Sequence, residues 1–233
     1  MEKQTIDFDA NPPVATTEYD DRVQIAIPGY EAMHTMALAY LKSHLPDTAN
    51  LLIVGAGTGM ELVKLAQSNA QWQLLGVDPS SNMFAIAQQK LEQNNLLNRV
   101  KLFQGYTYDL PATPLYDAAT CILVMHFVPD DGSKLAFLQS IAQRLQSSAP
   151  FVLVDMFGEK GSPELEKMAA IINLFWAEMG LSPQQRQEIL ENVNRVYPIT
   201  ESRAIELLQQ AGFNNIARFY TGLWIGGWIA TKS

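Results

Sequence analysis

LLIVGAGTGM, residues 51–60, decides how this chain is read. Leu51, Leu52, Ile53 and Val54 form a short apolar run, partly β-branched, which suits a strand buried on both faces. Gly55, Ala56, Gly57, Thr58 and Gly59 follow as a G-x-G-x-G turn. From Glu61 to Ala66 the spacing of Leu62, Val63, Leu65 and Ala66 is helical. A strand that passes through glycines into a helix lets the backbone approach a bound ligand closely, because no Cβ stands in the way.

The next segment completes the pattern. Leu74, Leu75, Gly76 and Val77 read as a second strand, and Asp78 ends it. An acidic residue about 20 positions beyond the glycines is placed to accept hydrogen bonds from ribose hydroxyls. An adenosine-type ligand is therefore expected across the carboxyl ends of two adjacent parallel strands. The dinucleotide fingerprint would need a third glycine at position 60, where this chain has Met60.

The G-x-G-x-G turn resembles motif I of class I S-adenosylmethionine-dependent methyltransferases. VDPS at 77–80 resembles their second motif, YDAATCILVMHFVPD at 116–130 their fourth-strand segment, and LLQQAGF at 207–213 the helix before their sixth strand. The resemblance covers roughly residues 51–233 and implies a Rossmann-like α/β fold. That fold has a seven-stranded, mostly parallel sheet with an antiparallel last strand and helices on both faces. Here it would also carry a helical insert after strand five. The implied cofactor is S-adenosyl-L-methionine. Two positions depart from the family pattern. Ile53 stands where an acidic residue is usual near the methionine amino group, and Tyr106 follows Gly105 where an adenine-binding Asp is common.

AIPGYEAM at 26–33, RQEILENV at 186–193 and GFNNIARFYTGLWIGGWIATK at 212–232 are similar to segments of carboxy-S-adenosylmethionine synthases. That branch carboxylates S-adenosylmethionine using prephenate. The resemblance gives Tyr30 a cofactor contact. It also brings Arg186, shifted by about one residue, near the arginine that holds the cofactor carboxylate. Motif I of that branch reads D-x-G-C-S-x-G, whereas this chain has I-V-G-A-G-T-G, so the chain reads as a cousin of the synthases. Taken together, the resemblance implies a cofactor set of Tyr30, Gly55, Ala56, Gly57, Gly59, Asp78, Pro79, Met83, Tyr106, Thr107, Ile122 and Arg186.

At 233 residues the chain fits one α/β domain, and its 48% hydrophobic content suffices for a sizeable core. The expected division is an N-terminal arm and helix (1–48), a cofactor-binding core (49–160), a helical insert or lid (161–197), and a C-terminal helix and strands (198–233). A net charge of −8 disfavours direct binding to phosphate backbones. The single Cys121, between apolar neighbours, excludes an internal disulfide framework and suits a reducing cytoplasm. Three scattered histidines offer no metal-ligand spacing. The N-terminus MEKQTIDFDANPP has no apolar stretch of a secretory signal, and no run approaches the roughly 20 residues of a membrane span. A small-molecule substrate is the expected partner, without nucleic acid or membrane, and a homodimer is left open.

Residues 1–22 read as a loose acidic arm. A helix is expected over 31–45. Strands are expected at 51–54, 73–77, 100–104, 117–124 and 150–156, and helices at 59–69, 80–93 and 132–146. This alternation implies a parallel sheet with right-handed crossovers. Beyond Asp155 the rhythm breaks into two helical patterns between 161 and 195, where Ile172, Phe175, Trp176 and Met179 could serve either core packing or a lid over substrate. A last long helix, with Thr200 at its N-cap and Gly212 as its stop, precedes two strands joined at a glycine turn.

Methyl transfer is a displacement at a sulfonium that alignment and desolvation can drive without a protein nucleophile. A base is needed when the acceptor must lose a proton. His126, after strand four, and Asp155, at the end of strand five, are the candidate catalytic residues, each with a structural role as its rival. Asp109 reads as a loop-ordering residue and His34 as a pocket candidate. The leading expectation is a cytoplasmic S-adenosylmethionine-dependent methyltransferase acting on a small, partly apolar acceptor. The alternatives are a carboxy-S-adenosylmethionine synthase-like enzyme, with the carboxylated derivative as its cofactor, and a non-catalytic protein that binds S-adenosylmethionine or S-adenosylhomocysteine.

Overall fold

The computed structural model describes residues 6–12 and 14–233. Helices α1 (Tyr19–Ala26) and α2 (Tyr30–His44) lead into the alternating core. The core runs β1 (Asn50–Val54), α3 (Met60–Ser68), β2 (Gln73–Asp78), α4 (Ser81–Gln93), β3 (Val100–Gln104), β4 (Ala118–Ile122), α5 (Ser133–Ala142) and β5 (Pro150–Met156). Then come α6 (Pro163–Glu178), α7 (Pro183–Val193), α8 (Glu201–Gln210), β6 (Phe213–Gly222) and β7 (Ile225–Lys232). The strands form one seven-stranded sheet in the order β3-β2-β1-β4-β5-β7-β6. All pairs from β3 to β5 are parallel, and β7 lies antiparallel to both β5 and β6. This is the expected Rossmann-like methyltransferase sheet, including the helical insert after β5.

Alternation along the strands divides the core into two layers. Leu51 and Ile53 of β1 pack with α2, α3 and α4 on one face, while Leu52 and Val54 pack with α5 and α8 on the other. The chain order reverses between β1 and β4, so a crevice opens at their carboxyl ends.

Several boundaries differ from expectation for local reasons. The fourth strand stops at Ile122, because Leu123 turns into the left-handed region (φ 61°) while its N–H donates to Val154 O at 2.7 Å. The fifth helix ends at Ala142. Beyond it Arg144 turns inward, and its Nη2 donates to Leu110 O at 2.6 Å. The insert helices are capped as their sequences demand. Ser162 Oγ accepts from Leu165 N (3.2 Å), and Ser182 and Gln185 form a reciprocal capping box.

The N-terminal arm needs a larger correction. From residue 6 it is not loose: a turn at Asp7–Asn11, a 3₁₀ segment at Thr16–Glu18 and α1 cross over the sheet edge. The physical reason is long-range pairing that composition does not reveal, described below. Residues 1–5 and Pro13 lie outside the described residues.

Candidate active site

The glycine loop owes its shape to its neighbours. Gly55 (φ 71°) lies against Val124, so a Cβ there would fall 2.1 Å from Val124 Cγ2, and Gly59 (φ 80°) lies against Ala87. Among the described residues a Cβ on Gly57 would meet nothing nearer than 3.9 Å, so this glycine leaves backbone open to a ligand. Asp78 braces the loop. Its Oδ2 accepts from Gly57 N and its Oδ1 from Ser80 N, both at 2.9 Å. Each carboxylate oxygen keeps acceptor capacity for a ribose hydroxyl. Burial pushes the Asp78 carboxyl above its ordinary value, partly offset by these two donors.

Above the loop is a cavity of about 520 Å³, within the range of small-molecule sites. Gly55, Gly57, Asp78, Pro79, Met83, Tyr106, Thr107 and Ile122 line it, eight of the expected cofactor set. The Tyr106 ring is half-exposed at the mouth, stacked on Tyr108 at 5.1 Å, and Thr107 is buried against the Ser140 hydroxyl. Asp109 orders this loop by accepting from Tyr106 N at 2.9 Å. An open glycine backbone, a buried carboxylate and flanking side chains form a cradle that fits S-adenosylmethionine.

Four members of the set sit elsewhere. Ala56 and Gly59 belong to the loop but not to the cavity wall. Tyr30 lines a second cavity of about 460 Å³ between α2 and α3, with His34, Glu61 and Lys64; its hydroxyl lies 4.0 Å from Met60 Sδ. Arg186 lines neither cavity. Its Nη1 donates to Leu181 O at 3.0 Å within the insert, and its Nε–H is buried without a partner among the described residues.

His126 and Asp155 come together. Asp155, 1% exposed, accepts from the His126 ring at Nδ1, from His126 N at 3.0 Å and from Met156 N at 2.6 Å. Donation from Nδ1 leaves Nε2 as the acceptor nitrogen. The turn carrying His126 is held from beneath by Lys134. This lysine is fully buried, and its Nζ donates to Met125 O (2.7 Å) and Val128 O (2.6 Å). Desolvation pulls the Lys134 ammonium below its ordinary value, opposed chiefly by Asp155. His126 forms part of the wall of a third, smaller cavity beside the first.

The N-terminal segment closes the cavity from above. Ile6, Phe8, Tyr19, Leu123 and Phe127 line both the large and the small cavity. Phe8 stands edge-on between Tyr19 (5.8 Å) and Phe127 (5.5 Å). Asp9 clamps the start of α4, accepting from Ser80 Oγ (2.6 Å), Ser81 N (2.9 Å) and Asn82 N (3.0 Å). An anion at a helix N-terminus satisfies its orphan donors. These donors hold the Asp9 carboxyl down at about 2. Asp20 of α1 accepts from Thr58 of the glycine loop and pairs with Lys90 of α4. Sequence reasoning missed Phe8, Asp9, Tyr19, Asp20 and Lys134. Only Lys134 leaves a local trace, as a lysine in a largely apolar helix.

Residues 51–148 match the family model described as "Methyltransferase domain". Over 224 residues the chain is 28% identical to a carboxy-S-adenosyl-L-methionine synthase of Nautilia profundicola, covering 93% of this chain and 89% of that protein. It is 27% identical over 180 residues to a demethylmenaquinone methyltransferase of Lactiplantibacillus plantarum, covering 74% and 73% of the two chains. The fold is similar to that of a magnesium protoporphyrin IX methyltransferase from Synechocystis with bound S-adenosylhomocysteine (TM-score 0.63, 21% identity, 88% of this chain and 84% of that one). It is also similar to an O-methyltransferase family 2 protein from Planctomyces limnophilus in complex with apigenin (TM-score 0.59, 14% identity, 92% of this chain), of whose length this chain spans 61%.

The sheet order and the glycine loop define the class I methyltransferase fold, and residues 51–148 carry the match to a methyltransferase domain. The match over residues 51–148, the glycine loop and the fold support an S-adenosylmethionine-dependent enzyme of that class, with S-adenosylmethionine as the cofactor. Among the described residues no helix is long and apolar enough to cross a membrane.

Proposed function

We propose that this enzyme methylates a small-molecule acceptor, with His126 as general base and Asp155 as the group that orients it. The observation that carries this is the buried Asp155 carboxylate, which accepts the Nδ1 proton of His126 and its backbone N–H, fixing tautomer and ring orientation. Nε2 is then the nitrogen left to take the acceptor's proton. In the same proposal Gly55, Gly57, Asp78, Pro79, Met83, Tyr106, Thr107 and Ile122 hold S-adenosylmethionine, which supplies an electrophilic methyl group on a sulfonium. Asp78 takes the ribose, and Tyr106 and Thr107 flank the adenine. Residues 1–233 act as one domain in the cytoplasm, with 161–197 and the N-terminal segment as covers over the site.

His126→Ala is expected to lower kcat by roughly 10²–10⁴-fold while leaving S-adenosylmethionine affinity within about twofold. Asp155→Asn should lower it as well, by disturbing the tautomer. Steady-state kinetics on the natural acceptor and calorimetric titration of the cofactor check this. Full activity in folded His126→Ala would refute the assignment.

A second reading, a carboxy-S-adenosylmethionine synthase-like enzyme, is favoured by one observation. Among the described residues the Arg186 Nε–H is buried without a partner, and a carboxylate would supply one. Mass spectrometry of the ligand that copurifies separates the two: the carboxylated cofactor supports the second reading, and S-adenosylmethionine or S-adenosylhomocysteine the first.

A further inference from the structure

The small cavity beneath Phe8 has a volume of about 170 Å³. Its walls come from α1, the turn after β4, the end of β5, α6, α7 and the start of β7. Trp176, Trp224, Met156, Ile189 and Val193 make most of it apolar. Among the described residues that line it there is no lysine, arginine, aspartate or glutamate. Its polar side chains are Tyr19, His126 and Asn192.

Three physical limits follow. An apolar space of about 150 Å³ holds one benzene ring, so the lined part of this cavity, which opens to solvent, takes one ring or an aliphatic group of similar bulk. Walls without charge cannot compensate the desolvation of a carboxylate or phosphate, so a charged acceptor is rejected. A histidine whose Nδ1 proton is engaged by Asp155 can accept one proton, so the acceptor carries a hydroxyl that becomes nucleophilic on losing it.

We infer that the small cavity is the acceptor site and that it takes an uncharged, single-ring or similarly compact apolar molecule bearing one weakly acidic hydroxyl, of the phenol or enol class. This rests on the role given to His126 above and adds the class of substrate. The transfer balances without another reactant. The hydroxyl proton goes to His126 Nε2 and the methyl–oxygen bond forms. The methyl–sulfur bond breaks, and its electron pair stays on sulfur as the neutral thioether. Phe8 and Phe127, shared by both cavities, stand between cofactor and acceptor, so Phe8 must shift for the two to meet.

Binding to the protein loaded with S-adenosylhomocysteine tests this independently of turnover. Probes are 4-methylphenol, benzoate as a charged molecule of equal size, and 1-naphthol as a two-ring molecule, followed by calorimetry or ligand-observed NMR. The expected result is that 4-methylphenol binds at least about tenfold more tightly than benzoate, with naphthol excluded. Ile189→Trp should abolish 4-methylphenol binding by filling the cavity. Ile189→Ala should admit 1-naphthol. Val193→Phe, one turn along α7, serves as the second filling variant if Ile189→Trp does not fold. Benzoate binding as tightly as the phenol would overturn the class. Phenol binding untouched by a folded filling variant, or absent from the native protein, would overturn the site. Neither result bears on His126, whose own test is the loss of turnover in His126→Ala.

Discussion

The two sides of the large cavity are built on different principles. The floor, from β1 to the start of α4, is made by residues close in sequence: a strand, a glycine turn, a helix, and Asp78 bonded back to Gly57. The roof comes from far away. Asp9 reaches Ser80, Ser81 and Asn82, more than 70 positions on, and Asp20 reaches Thr58 and Lys90. The small cavity is assembled the same way, with Trp176 Nε1 donating to Ala26 O at 2.9 Å to tie the insert to α1. The floor is a local backbone requirement, and the roof is a set of tertiary contacts on polar anchors. Floor substitutions should therefore weaken binding most, whereas roof substitutions should change mainly how readily ligand leaves.

The largest of the effects that separate the two is expected at Asp78. Asp78→Ala removes acceptors for the ribose and the brace on Gly57, a loss of about 1.5–3 kcal/mol, or roughly tenfold or more in cofactor affinity. Calorimetric titration of a folded variant decides it. Unchanged affinity would mean that the floor does not hold the nucleoside.

Asp9→Ala should have a smaller and different effect. Losing an anionic cap costs roughly 1 kcal/mol, about fivefold in affinity, and the loss should appear mainly as faster cofactor dissociation in stopped-flow measurements. The pH response of the native strap follows from its depressed carboxyl. The contribution of Asp9 is present above the ordinary value of 3.8 and is lost as pH falls through about 2, so the clamp stays intact across the neutral range. A change confined to the association rate would break the distinction between floor and roof.

The smallest effect concerns the back of the glycine loop. Burial pushes the Glu61 carboxyl up to about 7 from 4.5, so folding favours its protonated form. That contribution is fully present below about 4.5 and is lost as pH rises through about 7. The native protein should lose more Tm than Glu61→Gln between pH 5 and pH 8. The expected difference is on the order of 2–4 °C, the shift that about 1 kcal/mol produces in a chain of this size. Parallel Tm curves for the two proteins would show that Glu61 is not held neutral by the fold.

The sequence alone determined the sheet, the glycine loop and eight residues that line the large cavity, because each depends on constraints within one βαβ repeat: glycine φ, apolar alternation and the position of Asp78. It also placed His126 and Asp155 separately at the active edge. Only the tertiary structure brought them into one hydrogen-bonded pair, because β4 and β5 are neighbours in the sheet while His126 and Asp155 stand 29 positions apart in the chain. Tertiary structure also decided that Arg186 turns to Leu181 and away from the large cavity, and that Tyr30 lines the cavity between α2 and α3. It likewise made an acidic arm into a roof, since Asp9 and Asp20 acquire their roles from helix N-terminal donors, a threonine and a lysine supplied by distant parts of the chain. A carboxylate carries no local mark of the donor it will meet, and long-range electrostatic pairing is settled only when the sheet has set those donors in place.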